Sequence, residues 1–118
     1  MKLTKKMVTE AGANIGVEHV RELIEAHTST NIVLLFVTIS KTRMVEFISK
    51  LFPEGSDDEC EIDVTADRIK EAADDVCHDA MSENKEPNLG NILDVAMSLS
   101  FLQKLTDALL KEGGDADA

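Results

Sequence analysis

Tryptophan and tyrosine are absent from this chain of 118 residues, and its only aromatics are Phe36, Phe47, Phe52 and Phe101. A core built from such a sequence is aliphatic, and the rings on which single-stranded bases stack are missing. Cysteine is nearly as scarce. Cys60 and Cys77, seventeen residues apart, are too few for a disulfide framework and read as free thiols. With His19, His27 and His78 they show none of the close paired spacings of a zinc site. Long hydrophobic runs are lacking as well. The longest, Ile32 to Val37, has six residues, against roughly 20 for a membrane-spanning helix. Lys5 and Lys6 lead into Met7-Val8-Thr9-Glu10 rather than the apolar stretch of a signal peptide. The expectation is a cytoplasmic protein without membrane contact.

Positive charge is the last scarcity. The formal charge is −11, and it is unevenly spread. Residues 1–52 carry seven Lys or Arg against five Asp or Glu, whereas residues 54–86 carry thirteen acids against Arg68, Lys70 and Lys85. A domain with that field repels phosphate, and it lacks the basic stripe by which proteins hold nucleic acid directly. The acidic segment reads either as a solvated surface that keeps the protein soluble or as a face matched to a basic partner.

Helical periodicity dominates what is present, and the fold class expected is mainly α, a small bundle of about four helices. Leu3 to Ala11 reads as a short helix, with Gly12 and Gly16 as breaks after it. From Val17 an amphipathic helix places Val17, Val20, Leu23, Ile24 and His27 on one face. Thr28 to Asn31 supplies an end and a cap. Residues 31–52 read as a second long helix closed by Pro53. Its first two turns are apolar all round, so neighbours must bury them. The alternative is α+β with one short strand pair, 32–39 and 60–65, because the first segment is β-branched and the second alternates with a period of two.

Thr65 can cap a third helix, reaching Ser82 or so, with Ile69, Ala72, Ala73, Val76, Ala80 and Met81 inward. After Pro87, a fourth helix runs from Leu89 to Lys111, apolar over most of its circumference. It is expected either at the centre of the bundle or as a partner surface carrying Met97, Phe101 and Leu105. One helical domain, 1–112, followed by a disordered acidic tail, 113–118, is the expected organisation.

Motifs for chemistry are weak. Asp57, Glu59, Glu61 and Asp63 alternate like the start of a calcium loop, but Ile62 stands where the loop needs glycine and Arg68 where it needs a bidentate glutamate. Glu-x-x-His pairs, a nucleophile elbow, a phosphate loop and a dinucleotide fingerprint are all missing. No catalytic residue, cofactor or metal is expected. The expected function is a non-catalytic protein-interaction module (a regulator, adaptor or dedicated chaperone) binding a protein partner. Two further readings share its residues. One is a nucleic-acid mimic that fills a basic channel with Asp57, Asp58, Glu59, Asp67, Glu71, Asp74 and Asp75. The other is a homo-oligomer built on the apolar helices.

Overall fold

A computed structural model describes residues 1–112; the tail expected at 113–118 lies outside the described residues. The chain runs β1 (Lys2–Thr4), α1 (Lys5–Glu25), α2 (Thr30–Leu51), β2 (Glu61–Asp63), α3 (Ala66–Glu83) and α4 (Leu89–Asp117). It is a four-helix bundle with a two-stranded ribbon at one end. The stretch 31–40 is helical and not a strand.

The ribbon pairs elements that lie far apart in the sequence. β2 lies antiparallel to β1, with Leu3 opposite Ile62, so the partner of the alternating segment is the chain start and not residues 32–39. Leu3 reaches the core from there, 1% exposed. Thr4 ends the strand and caps α1, its Oγ1 accepting from the Met7 amide at 3.1 Å. The free amides of Lys5 and Lys6 donate to the carbonyls of Cys60 and Asp58, which ties the acidic loop to the start of α1.

α1 is continuous through Gly12 and Gly16, where a short helix and a break were expected. Gly12 is buried against α2: a Cβ there would stand 2.4 Å from the Met44 Sδ. Helix–helix contact holds the segment helical, and that outweighs the propensity cost of roughly 1 kcal/mol per glycine. The helix ends in a Schellman turn. The Thr28 amide donates to the Leu23 carbonyl and the His27 amide to that of Ile24, with His27 left-handed at φ 57°. His27 is therefore an exposed cap residue rather than part of the apolar face.

α2 starts at the Ser29 cap and turns Phe36, Ile39, Arg43 and Phe47 inward, and Phe52 is extended before Pro53. Gly55, with φ 76°, forms the turn in which the Ser56 amide donates to the Pro53 carbonyl. α3 buries Ile69, Ala72, Ala73, Val76 and Ala80, while Met81, expected inside, is 52% exposed. α4 touches all three other helices and carries Phe101, Leu102, Leu105 and Leu109 into the core. No helix among the described residues is long and apolar enough to cross a membrane.

An apolar groove between the first two helices

The surface expected on α4 is largely interior. Leu105 is fully buried and Phe101 is 2% exposed, because three helices close around this side of α4. Only Met97 is half-buried, packed on the edge of the core. Leu105 and Met97 therefore do not form a free patch with Phe101. The large apolar residues that α4 does show to solvent, among the described residues, are Leu89, Ile92 and Leu99.

Phe101 has a different role: it lies at the bottom of a groove of about 440 Å³ between α1 and α2. One wall is Thr9, Gly12, Ala13, Gly16, Val17 and Val20, at the spacing of one helix face; the other is Phe36, Val37, Ser40, Lys41 and Met44. Small residues on α1 create the space. At Gly12 the helices meet, and by Gly16 they have parted, since a Cβ built there meets nothing within 4 Å. Val17 in its wall is more than half exposed, and so are Leu34 and Val45, which share a stripe of α2 with Lys41 at i−7 and i+4. Among the described residues the only charged side chain lining it is Lys41.

A buried ion network holds α2 in place behind this wall. Arg43, 3% exposed, donates from Nε to Ser98 Oγ at 2.8 Å and from Nη2 to Asp94 Oδ1 at 2.8 Å, while Nη1 reaches Glu46. Burial pushes the guanidinium pKa down, but hydrogen bonds and charge from Asp94 and Glu46 outweigh it and hold the pKa above its ordinary value. The network pins α2 to α4. On the other side, His19 sits on Phe36 with ring centroids 4.2 Å apart, its Nδ1 3.1 Å from the Lys104 Nζ. Burial, then Lys104, pulls its pKa below the ordinary value against the opposing pull of Glu22.

Asp57, Asp58, Glu59, Asp67, Glu71, Asp74 and Asp75 are all exposed, the first three in the loop before β2 and the rest on α3. The structure places them on surface away from the groove lining. Among the described residues no three His, Cys, Asp or Glu side chains come together as a metal cluster. Cys77 is half-buried, and burial, then Asp74, raises its pKa against the pull of Arg43, which keeps it a poor nucleophile.

Gly12, Ala13 and Gly16 are the site residues that sequence reasoning missed. Their signal was present: Thr9, Gly12, Ala13, Gly16 and Val17 repeat at i, i+3, i+4, i+7 and i+8, a small-residue stripe that lets another backbone or side chain come close. Comparison with known proteins adds no guide, since no family model, curated protein or solved structure matches the chain.

Proposed function

We propose that this protein is a non-catalytic interaction module that receives an apolar segment of a protein partner, in helical form, between α1 and α2. The observation that carries this reading is the open apolar groove walled by Gly12, Ala13, Gly16 and Val17 on α1 and by Phe36, Val37 and Met44 on α2, with Phe101 at its bottom and exposed Leu34 and Val45 on the adjoining stripe of α2. Leu34 to Val45 spans about 16 Å along α2 at 1.5 Å per residue, three turns, which suits a partner helix with anchors at i, i+4, i+7 and i+11.

Magnitudes support a protein rather than a lone anchor. Covering three half-exposed aliphatic side chains contributes about 3 kcal/mol, less than the loss of translational and rotational freedom on association. A stable complex therefore needs the partner to fill the groove with side chains of its own. Such contacts persist in high salt, because no ion pair carries them.

Gly16→Leu tests the reading. Leucine is a good helix former and its stem enters open space, so the fold survives while the groove fills. Tagged wild-type protein should retain one discrete partner from a lysate in high salt, and Gly16→Leu should lose it. Equal capture by both proteins would remove the groove from the account. Capture only in low salt, competed by DNA, would move the function to the acidic surface and to mimicry of nucleic acid.

A further inference from the structure

The charge around the α1–α2 groove runs against the charge of the chain. Carboxylates outnumber Lys and Arg by 23 to 12, yet α2 carries a single one, Glu46, and Arg43 holds it in the network that joins α2 to α4. Lys41 is therefore the only charged group that α2 brings to the groove, and it is exposed.

On α1 the helix period sorts the charges. Glu18 and Glu22 border the hollow around His19 and Lys104, on the opposite side of the helix from the groove. Glu25 closes α1, beyond Val20, the last residue of that helix in the lining. The outward edge of the lining stripe instead carries Lys6 and Glu10, at i−7 and i−3 from Ala13, and Arg21, at i+4 from Val17, all exposed. Three cations and one carboxylate thus surround the groove.

None of the three cations, Lys6, Arg21 and Lys41, has a carboxylate within ion-pair distance among the described residues. The acid-rich loop before β2 and the acids of α3 lie away from the groove lining. Exposed charges more than about 8 Å apart are largely screened at physiological ionic strength. A segment seated in the groove therefore meets the local cations rather than the net charge of the chain.

On the reading that the groove receives a partner helix, we infer that this helix is acidic: beside its apolar stripe it carries carboxylates that meet Lys41 on the α2 side and Lys6 or Arg21 on the α1 side. Lys6 and Arg21 are fifteen residues apart, about 22 Å along α1, so the partner's acids are spread over some four turns rather than gathered at one end. Apolar contact supplies the affinity, while the exposed pairs set the choice of partner, its direction in the groove and the rate of encounter.

Three hydrocarbon-stapled helical peptides test this by fluorescence anisotropy against the whole chain. All share leucines at i, i+4, i+7 and i+11, and the positions flanking that stripe are Glu in one, Gln in the second and Lys in the third. The Glu peptide should bind tightest and the Lys peptide weakest, with about fivefold between neighbours in the series, and Gly16→Leu should abolish the binding. Lys41→Glu changes an exposed side chain without touching the core and should reverse the order of the Glu and Lys peptides. High salt should shrink the preference and leave the binding in place. Equal binding of all three peptides, still lost in Gly16→Leu, would overturn the acidic partner and leave the groove standing. A Lys peptide that binds tightest in the groove would overturn it as well. Binding indifferent to Gly16→Leu, or none by any peptide, would remove the groove and the acidic partner together.

Discussion

Replacing Gly16 by alanine, with Gly12→Ala as its control, separates an open groove from a closed one. Both glycines lie inside α1, where alanine is favoured over glycine by about 1 kcal/mol. At Gly16 the new methyl meets nothing within 4 Å, so the whole gain should appear. For a chain of this length that raises the melting temperature by about 4 °C. At Gly12 the same methyl lands 2.4 Å from the Met44 Sδ and 3.0 Å from its Cε. The thioether must swing away, and forced repacking of this kind costs about 1–3 kcal/mol, which cancels or exceeds the gain. The two variants should therefore differ by about 1–3 kcal/mol in urea denaturation followed by helical circular dichroism. A destabilised Gly16→Ala would mean that the groove is packed shut in solution. A Gly12→Ala as stable as Gly16→Ala would mean that α1 and α2 do not meet at Met44.

Three further perturbations probe other parts of the fold. His27→Gly should stabilise by about 1 kcal/mol, because glycine carries no side-chain penalty in the left-handed cap position; a loss in urea midpoint would contradict the Schellman geometry. Leu105→Ala should cost about 3–5 kcal/mol and Leu99→Ala well under 1, since one is fully buried and the other 43% exposed; equal losses in denaturation would mean that α4 presents a different face. His19 titrates below its ordinary value, so the unfolded chain binds the proton more tightly: its contribution is complete above about pH 6.5 and is lost as the pH falls through the folded value. Urea midpoints measured at neutral and mildly acidic pH should fall less steeply for His19→Gln, and an unchanged slope would refute the assignment.

Much of the architecture was legible because it rests on periodicity. The spacing over 31–52 and 65–82, with Pro53 and Thr65 as its punctuation, marks α2 and α3 to within a residue or two at each end. The ribbon was not legible in the same way. The alternation over 60–65 marks β2, but β1, three residues at the chain start, has no period to detect, and the two lie about sixty positions apart. α1 shows the limit of propensity: Gly12 reads as a breaker locally, but it lies inside the helix against Met44, whose thioether occupies the space a Cβ would take. Arg43 shows the same limit for charge. Its position continues the apolar face of Phe36 and Ile39, yet nothing in α2 itself discloses that Ser98 and Asp94 receive it across the bundle.

The candidate site was half legible. Phe101 stands out by its place on an apolar helix, and it does border the groove, but as floor rather than as an exposed anchor. Leu105 is as apolar and equally placed by composition; only the three-helix enclosure of α4 decides that it is core. Exposure depends on which helices pack around a position, and a single helix's pattern does not carry that information.

A photo-crosslinking side chain placed at Ala13, exposed and on the groove wall, addresses the central claim most directly, with the same group at Asp75 on the outer face of α3 as reference. Illumination in cells should join one protein partner to position 13 and not to position 75. Adducts formed only at position 75, or a covalent dimer of the chain itself at position 13, would contradict the claim that the α1–α2 groove receives a partner helix.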